Sequence, residues 1–367
     1  MGDRLTVGVE EEYLLVHPVS RQTSPQGEKV VAAAAALLGD RVTTELTRYQ
    51  VEARTTPHTD LADLGEEIRS MRTIVARAAE QQGLRIISSG SPVLTAPGPP
   101  PITDGPRYAR SLSEFRALDD EQSACACHIH IGVRGLAQAL QISNHIRPWL
   151  PVLIALSANS PYWAGRDTGY ASWRVMTWAR WPVAGPPPYF ESPDHFDDLV
   201  GCLVTTGAIM DRGGLYWDIR PSHHVPTLEV RVADAASTTD DTLLLAALVR
   251  ALAVTALTAI DTGAPAPRPR PELLRAACWR AARDGLAGQS IDLSTGRPVP
   301  ATVQVDRLMT RIRPALAQSG DLDLVRAGWS RLRTHGTGAD RQRAAYSRRA
   351  SLTDVVDHLT SSTRCPA

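Results

Sequence analysis

TVGVEEEYLLV (residues 6–16) carries three glutamates, Glu10, Glu11 and Glu12, inside an otherwise apolar run. Glutamate is depleted in strands and costly to bury. On a strand, Glu10 and Glu12 point to one face, with Cα atoms roughly 6–7 Å apart, and Glu11 points to the other. Two carboxylates on one buried face repel each other unless a cation lies between them or one is protonated, and Mg²⁺ accepts such oxygen ligands. An edge strand with solvated glutamates explains the stretch equally well.

Four further segments repeat this arrangement, in which polar side chains stand two residues apart in a strand-like run. Taken singly, each is better explained by an ordinary ion pair or hydrogen bond on a half-buried sheet. Together they predict a curved sheet whose inner face is wet and charged and whose outer face packs against helices. The side chains expected on the inner face are Gln50 and Glu52 of RYQVEAR, His128 and His130 of CHIHIGV, Asp218 and Arg220 of YWDIRPS, and Glu229 and Arg231 of LEVRV.

This set of residue types favours chemistry on a phosphoryl group. Carboxylates and an imidazole hold divalent metals, and arginine forks hold anions. A metal with arginines neutralises the charge of a phosphoryl group in transfer. The chain contains no GxxxxGK[ST] motif, and no GxGxxG follows a strand, so metals and arginines must hold any nucleotide phosphates.

The stretch 165–182, GRDTGYASWRVMTWARWP, alternates arginines with aromatic residues. Such a loop could bind a carboxylate by its arginines and an organic body by its aromatic rings. The alternative is an irregular surface loop anchored by its tryptophans. The segment 336–346, GTGADRQRAAY, reads as a turn leading into a helix, and we expect it to cap the C-terminal helices.

Composition excludes several classes of protein. The 367 residues carry 39 basic and 39 acidic side chains, which argues against a nucleic-acid or membrane-surface role driven by charge. The five cysteines, Cys125, Cys127, Cys202, Cys278 and Cys365, form no CxxC pair and are expected to be reduced thiols in a cytoplasmic protein. No signal peptide is evident. The longest apolar run carries Arg250 at its centre and predicts a buried helix instead of a membrane span.

The coarse pattern is α+β. Strands are expected at 4–16 and 42–54, in LRIISSGS, CHIHIGV, LYWDIRPS and TLEVRVAD, and a mostly antiparallel sheet with helices on its outer face should result. We expect one catalytic domain over 1–367, of which 265–367 is a mainly helical C-terminal region. The predicted helices cover 28–38, 61–82, 135–157, 195–210, 241–261, 272–286, 304–317, 322–334 and 352–361.

Eight blocks in this chain resemble, in order, a known family. They are GVEEEYLLV, TELTRYQVEARTTP, CHIHIGV, SPYWAGRDTGYAS, WDIRPS, TLEVRVAD, WRAARDGL and GTGADRQR. They are similar to the YbdK-type carboxylate–amine ligases, the glutamate–cysteine ligase type 2 group of the glutamine synthetase-like superfamily. The resemblance spans nearly the whole chain. It implies a glutamine synthetase-like fold, with a curved antiparallel sheet, and the use of ATP and Mg²⁺ to join a carboxylate to an amine.

The resemblance also implies roles for matching positions. Metal ligands are expected at Glu10, Glu12, Glu52, His128 and Glu229. Arg231 is expected to stabilise the transferred phosphoryl group, and Arg220 is a second catalytic anion contact. By the resemblance, His130 and Arg231 are nucleotide contacts. The residue types of the 165–182 loop, and not the resemblance, are the basis for expecting Arg174 as a further nucleotide contact and Arg166 and Tyr170 as substrate contacts. The resemblance suggests no catalytic role for Cys125 or Cys127.

These roles imply a two-step ligation. The substrate carboxylate attacks the γ-phosphate of ATP, and an amine then displaces phosphate from the acyl phosphate to give an amide. The expected partners are small molecules, glutamate and cysteine by the family's name, and a homodimer is a family-level expectation. Two alternatives remain open. One is a metal-dependent hydrolase or oxygenase that uses His128 and His130, and the other is a non-catalytic descendant that binds a nucleotide or an amino acid.

Overall fold

The computed structural model describes residues 5–364, and strands of the central sheet are interspersed with helices over residues 7–234. The strands are β1 Val7–Val16, β2 Val42–Thr44, β3 Gln50–Arg54, β4 Arg85–Ile87, β5 Ala126–Gly132, β6 Tyr162–Trp163, β7 Arg166–Asp167, β8 Ala184–Gly185, β9 Tyr216–Trp217, β10 Ile219–Pro221, β11 Thr227–Asp234, β12 Gln289–Asp292 and β13 Arg297–Pro300. The helices are α1 Gly27–Leu38, α2 Leu61–Gln81, α3 Pro106–Phe115, α4 Ala117–Asp120, α5 Leu136–Ile146, α6 Leu150–Ser157, α7 Trp173–Trp178, α8 Pro193–Thr205, α9 Thr239–Asp261, α10 Pro271–Asp284, α11 Ala301–Ser319, α12 Leu322–His335, α13 Gly338–Ser347 and α14 Leu352–Thr363.

Seven of these strands form the central sheet, in the order β10-β11-β5-β1-β3-β2, and β4 pairs with the far end of β1. Every pairing in this sheet is antiparallel. The α+β class and the mostly antiparallel sheet predicted from the sequence are therefore confirmed. Residues 265–364 hold five helices, α10 to α14, together with the hairpin β12–β13, which the sequence analysis did not predict.

The outer face of the sheet carries the hydrophobic core. Alternate residues of the three central strands, such as Val7, Ile129 and Leu228, are 0–1% exposed and pack against apolar side chains of the surrounding helices. This alternation follows from the two-residue period of a strand. On the opposite, inner face, the far end of β1 is apolar, and Leu14 and Val16 belong to the same hydrophobic cluster as Val355, Val356 and Leu359 of α14. The rest of the inner face is left for polar side chains.

Helix α9 runs through the core and is the one helix of the described residues that is long and apolar enough to cross a membrane. Two-thirds (67%) of its most apolar window is buried inside the fold. Arg250, near its centre, donates to the carboxylate of Asp321 at 2.5 Å and to the carbonyl of Thr59 at 2.6 Å. The apolar run is thus a core helix, as predicted, and its arginine is neutralised within the fold.

Glu11, the middle glutamate of the opening stretch, faces the helices. It is fully buried, and the Arg72 guanidinium on α2 donates to both of its carboxylate oxygens, at 2.6 and 2.8 Å. The hydroxyls of Tyr13 and Thr242 donate to the same carboxylate. Although burial favours the neutral acid, Arg72 and these hydroxyls lower the pKa of Glu11. The ion pair between Glu11 and Arg72 links β1 to α2.

The sequence prediction was wrong about residues 42–54, which do not form a single strand. They form a hairpin in which β2 and β3 pair antiparallel, with Thr43 opposite Glu52. The turn is stabilised from within, because the Thr47 hydroxyl donates to the Gln50 side chain at 2.6 Å and the Gln50 amide donates to the Thr47 carbonyl at 3.0 Å. The turn residues 45–49, ELTRY, include none of the glycine, proline, asparagine or aspartate that usually marks a turn.

Four of the cysteines, Cys125, Cys127, Cys202 and Cys278, are free thiols, as predicted. Cys365, the fifth, lies outside the described residues.

Candidate functional site

A cavity of about 1070 Å³ lies against the inner face of the sheet. Its lining includes every metal-ligand candidate and every nucleotide candidate from the sequence analysis. These residues are Glu10, Glu12, Glu52, His128, His130, Arg174, Arg220, Glu229 and Arg231. They come from five strands and from α7, so that residues separated by more than 200 positions in the chain meet in one place.

Strand register places these side chains opposite one another. Glu10 on β1 lies opposite His128 on β5, and His130 lies opposite Glu229 on β11. On the other side of β1, Glu12 lies opposite Glu52 on β3. Directly opposite residues of an antiparallel pair project to the same face, about 4.5–5.5 Å apart at Cβ. The register of the strands therefore brings these charged side chains close together on the inner face of the sheet.

Two groups of possible metal-ligand atoms share one imidazole. One consists of Glu10, His128 and Glu229, the other of Glu12, Glu52 and His128, and in each group the ligand atoms lie within 4.8 Å of one another. His128 Nδ1 is 3.1 Å from Glu10 and 3.7 Å from Glu229, and its Nε2 is 3.7 Å from Glu12. Such oxygen-rich sites with one imidazole suit Mg²⁺ or Mn²⁺ better than Zn²⁺.

In the group formed by Glu12, Glu52 and His128, burial and the neighbouring carboxylates disfavour the ionised form of both acids. Burial, and then the charge of Glu45, raise the pKa of Glu12 to about 8. Burial and the charges of Glu10, Glu45 and Glu12 raise the pKa of Glu52 well above its usual range. Burial and the charge of Arg231 lower the pKa of His128 to about 4, so that the imidazole is neutral and able to ligate.

A bound divalent cation fits this cluster. His128 Nε2 is buried and has no hydrogen-bond partner, although it lies within reach of the Glu12 carboxylate. A cation between these groups would satisfy the nitrogen and allow both carboxylates to ionise at neutral pH.

Glu10 and Glu229 lie in a different electrostatic environment. Burial favours their neutral forms, but the hydrogen bonds and charges of His128 and His130 lower the pKa of Glu10. The charges of Arg231 and Arg220 lower the pKa of Glu229 well below its usual range. These two carboxylates are therefore anionic at neutral pH even without a metal.

Two arginines flank this anionic group. Arg220 Nε donates to Glu229 at 2.8 Å, and Arg231 forms an ion pair with the same carboxylate. The register of β11 against β5 shifts between Val230 and Ala233, so Arg231 lies at an irregularity of the strand. Its Nε is buried without a hydrogen-bond partner. Arg231 thus has a free donor beside the Glu229 carboxylate.

The two remaining nucleotide candidates, His130 and Arg174, also make contacts within the protein. His130 Nδ1 is 2.8 Å from the Thr227 hydroxyl, and its Nε2 is 3.2 Å from Glu10. The guanidinium of Arg174 is buried and donates to the carbonyls of Arg231 and Val232, at 2.9 and 3.3 Å. Arg174 therefore supports the irregular part of β11 as well as lining the cavity.

The structure does not bring the two substrate candidates into this cavity. Arg166 is exposed, lies over the Trp173 ring at 5.6 Å, and lines a separate cavity of about 450 Å³. Tyr170 packs against the same ring and accepts a hydrogen bond from Trp279. The aromatic residues that do line the main cavity include Trp178 and Trp181, from the end of the same segment.

Glu45 is a site residue that the sequence analysis missed. It lies in the turn of the β2–β3 hairpin and lines the cavity, and its charge helps raise the pKa of both Glu12 and Glu52. Burial raises the pKa of Glu45 itself. Reading 42–54 as one strand concealed it, because Glu45 and Glu52 would then point to opposite faces. Recognising a turn at residues 45–49 in the sequence would have placed Glu45 beside Glu52.

The raised pKa values predict how stability depends on pH when divalent metal is removed by EDTA. Above the ordinary histidine pKa of 6.5 and up to about pH 8, the folded state retains protons on Glu12 and Glu52 that the unfolded state has lost. The free energy of unfolding should therefore fall as pH rises through this window. Urea titrations between pH 6.5 and 8 measure it, and excess Mg²⁺ should flatten the dependence. A stability that rises with pH in EDTA would contradict this assignment.

Two solved structures share the fold. Glutamate–cysteine ligase from Francisella tularensis, in complex with AMP, matches with a TM-score of 0.73 over 99% of this chain and 89% of that chain, at 12% identity. A bifunctional glutathione synthetase from Pasteurella multocida matches with a TM-score of 0.71 over 98% of this chain and 52% of that chain, at 13% identity. The TM-scores establish a common fold, and at identities this low they establish the fold alone.

Sequence relatives are much closer. The chain is 48% identical over 364 residues to "Putative glutamate--cysteine ligase 2-2" of Mycobacterium sp. (strain KMS), covering 99% of this chain and 100% of the relative. It is 45% identical over 357 residues to "Putative glutamate--cysteine ligase 2-1" of Saccharopolyspora erythraea, covering 97% and 94%. The family model described as "Glutamate-cysteine ligase family 2(GCS2)" matches residues 6–358. As its eight sequence blocks predicted, the chain belongs to glutamate–cysteine ligase family 2.

Proposed function

We propose that this protein is an ATP- and Mg²⁺-dependent carboxylate–amine ligase that forms an amide through an acyl phosphate. The observation that carries the proposal is the meeting, inside one cavity, of four carboxylates, two imidazoles and the arginines Arg220 and Arg231 from one sheet face, with Glu45 from the adjoining turn. Membership of glutamate–cysteine ligase family 2 supports the same reaction class. So does the geometry, because phosphoryl transfer depends on positioning and on charge neutralisation.

The metal-binding residues in this proposal are Glu10, Glu12, Glu52, His128 and Glu229, together with Glu45. Bound Mg²⁺ would neutralise charge on the ATP phosphates and on the phosphoryl group in transfer. The carboxylates supply the hard oxygen ligands that Mg²⁺ prefers, and neutral His128 lies between the two groups.

The arginines of β10 and β11 act on the phosphates. Arg231 offers its unpartnered Nε to an oxygen of the γ-phosphoryl group, and Arg220 holds Glu229 in place beside it. A carboxylate oxygen of the substrate attacks the γ-phosphorus, and the bond to the β–γ bridging oxygen breaks, so that ADP leaves with the electron pair. Charge-assisted donors at this position stabilise the transferring group.

The second step forms the amide. The amine nitrogen attacks the carbonyl carbon of the acyl phosphate, the C–O bond to the phosphoryl group breaks, and inorganic phosphate leaves with that electron pair while the nitrogen loses a proton. No side-chain nucleophile is needed. Cys125 and Cys127 are unsuited to that role, because burial and nearby carboxylates raise the pKa of both thiols well above the ordinary value.

The specific substrates we propose are the γ-carboxylate of glutamate and the amine of cysteine, which give γ-glutamylcysteine. The names of the relatives in Mycobacterium and Saccharopolyspora support this pair. A hydrolase or oxygenase centred on both histidines fits less well, since each group of candidate ligands contains His128 and neither contains His130.

An ADP-release assay tests the proposal. The protein is incubated with ATP and Mg²⁺ over a matrix of carboxylates and amines that includes glutamate and cysteine, and products are identified by mass. We expect ADP to form only when both substrates are present, with an amide product, and to disappear when EDTA replaces Mg²⁺. ATP-independent hydrolysis would favour the hydrolase alternative, and ATP binding without turnover over the whole matrix would favour the non-catalytic one.

A further inference from the structure

Strand β11 contains an extra residue at the point where it carries Arg231. The pairing with β5 advances by three residues on β11, from Val230 to Ala233, and by two on β5, so Arg231 and Val232 together oppose His128. Such a β-bulge sets two residues against one and can re-aim a side chain, and bulges are common next to active sites. The position of the Arg231 side chain in the cavity therefore depends on the geometry of this bulge.

The carbonyls of the two bulge residues are held by one buried side chain. Arg174 on α7 is 3% exposed, and its two terminal nitrogens donate to the carbonyls of Arg231 and Val232, at 2.9 and 3.3 Å. The backbone amide of Arg231 donates to the carbonyl of Asp218 at 2.8 Å. Because a guanidinium is planar and rigid, its two hydrogen bonds fix two adjacent peptide groups relative to each other, which a single donor could not do.

Helix α7, which carries Arg174, is itself anchored to β11. Asp234 is 1% exposed and accepts hydrogen bonds from the hydroxyls of Ser160 and Ser172, both at 2.7 Å. The Ser160 hydroxyl in turn accepts from the backbone N–H of Arg174 at 3.0 Å, and Ser172 is the N-cap of α7. The strand therefore positions the helix through Asp234, and the helix contacts the strand again through Arg174.

The bulge is also what places Arg231 and Asp234 on one face of the sheet. Strand alternation would send residues three positions apart to opposite faces. Asp234 lies opposite Ala126, which lines the cavity, and directly opposite residues project to the same face. The one extra residue of the bulge therefore brings the anchor of α7 to the face that carries Arg231.

The hydrogen bonds of the two arginines indicate different roles. The Nε of Arg231 is buried without a partner, whereas both terminal nitrogens of Arg174 already donate to the backbone. The Trp178 ring lies 5.8 Å from the guanidinium carbon of Arg174. The donor that is free to meet a phosphoryl group therefore belongs to Arg231, and the donors of Arg174 are occupied in holding the strand that carries it.

We propose that Arg174 is a positioning residue, which holds the β11 bulge in the conformation that presents Arg231 to the transferring phosphoryl group and does not itself contact the nucleotide. This inference rests on the proposed function, in which Arg231 acts on the γ-phosphoryl group. It gives Arg174 a different role from the nucleotide contact expected from the residue types of the 165–182 loop. Its effect belongs to the rate of phosphoryl transfer and not to the affinity for ATP.

Arg174→Lys tests this role, because lysine lacks the planar fork that donates to both carbonyls. It keeps the positive charge, which also acts on Glu12. We expect kcat for ADP formation to fall about 10- to 100-fold, since a misplacement of about 1 Å costs rates of this order. The Kd for ATP, measured by isothermal titration calorimetry, should stay at the wild-type value. Weaker ATP binding would make Arg174 a nucleotide contact and overturn the proposal, and so would an unchanged kcat.

Arg180→Lys is the matched control. It is the same substitution two residues after α7, at an exposed side chain whose ion pair is with Glu121, and it should change neither kcat nor ATP binding. Thermal unfolding checks that both variants are folded at the assay temperature. If Arg174→Lys does not fold, Arg174→Gln replaces it, because this substitution removes the buried charge and leaves one donor nitrogen. The same two results would overturn the proposal.

A double-mutant cycle shows whether Arg174 acts through Arg231. Arg231→Met removes the guanidinium that we propose meets the phosphoryl group, so the placement of residue 231 no longer matters to the rate. Adding Arg174→Lys to this variant should lower the residual rate no further. A merely structural role would lower stability in both backgrounds and would not produce this non-additivity. If the two losses of rate multiply instead, Arg174 acts independently of Arg231 and the proposal is wrong.

Amide hydrogen exchange separates this inference from the proposed function, because it needs no turnover. Mass spectrometry of the segment 227–234 should show faster exchange in Arg174→Lys than in the wild type or in Arg180→Lys, since the bulge is held less firmly. If the wild type forms no ADP with any pair of substrates, the ligase assignment fails, and unchanged exchange in Arg174→Lys would then overturn the inference as well. If ligation occurs and Arg174→Lys keeps the wild-type kcat, the ligase assignment stands and the positioning role is overturned.

Discussion

Glutamine in place of Glu12 is expected to lower the rate of Mg²⁺-dependent ADP formation by about 100–1,000-fold. The substitution keeps the shape of the side chain and removes its charge. Glu12 lies opposite Glu52 in the sheet and within 3.7 Å of His128, so its loss takes one carboxylate from the group that we propose holds a metal. The measurement is ADP release at saturating ATP over a range of Mg²⁺ concentrations, where the variant should need more Mg²⁺ for half-maximal rate.

A second readout shows whether lost activity comes from lost folding. Because burial and the charge of Glu45 hold the pKa of Glu12 at about 8, the carboxylate is destabilising when it ionises without a cation. In EDTA at pH 8 the Glu12→Gln variant should therefore unfold at a higher temperature than the wild type, and Mg²⁺ should raise its midpoint less. Glu66→Gln, an exposed change on α2, is the matched control and should alter neither rate nor midpoint. Wild-type activity in Glu12→Gln would remove the metal role from this residue.

Truncation of the neighbouring Glu11 is expected to act on folding instead. Glu11→Ala should lower the free energy of unfolding by about 3–5 kcal/mol, because it leaves the charge of Arg72 buried without its carboxylate. Both side chains are at most 1% exposed, and the guanidinium makes two hydrogen bonds to the carboxylate. Urea unfolding at pH 7 measures the loss. Since Arg72 and the hydroxyl donors hold the pKa of Glu11 below its usual value, the stabilisation is present at neutral pH and declines as the pH falls through the folded-state pKa.

Two controls distinguish a buried pair from an ordinary one. Asp354→Ala breaks the ion pair with Arg349, whose side chain is 76% exposed, and should lower the free energy of unfolding far less than Glu11→Ala does. The double variant Glu11→Leu/Arg72→Met removes both charges together and should be more stable than Glu11→Ala alone. If Glu11→Ala cost no more than Asp354→Ala, the structural role assigned to Glu11 would be wrong.

The three adjacent glutamates therefore have different roles, because successive side chains of a strand point to opposite faces of the sheet. Strand alternation sends Glu10 and Glu12 to the cavity and Glu11 to the helices. The cavity pair differ further in their neighbours. His128 and His130 keep Glu10 ionised, whereas burial and Glu45 favour the neutral form of Glu12.

Several features were accessible from the sequence because they depend on local periodicity. Alternation in TVGVEEEYLLV, CHIHIGV and LEVRV was enough to predict which side chains share a face, and hence that Glu10, Glu12, His128 and Glu229 could meet. The same reasoning predicted α9 as a buried helix around Arg250. Eight ordered blocks were enough to predict the family, since a match over most of a chain constrains the fold more than any single motif.

Other features depended on contacts between distant residues. The turn at 45–49 has no local signal, so only the pairing of β2 with β3 brings Glu45 beside Glu52. Arg166 and Tyr170 have the residue types of a substrate site, yet the packing of α7 places them outside the main cavity and leaves Trp178 and Trp181 inside it.

The sequence by itself thus determined the faces of the strands, the class of the fold, the family, and the residue types available for chemistry, because each follows from short-range pattern. The tertiary structure decided which of these residues share one cavity, how Glu12 and Glu10 acquire opposite pKa shifts, and that Glu45 lies beside both groups of carboxylates. Those properties arise from strand register, burial and the distances between charges, and no local stretch of the chain contains them.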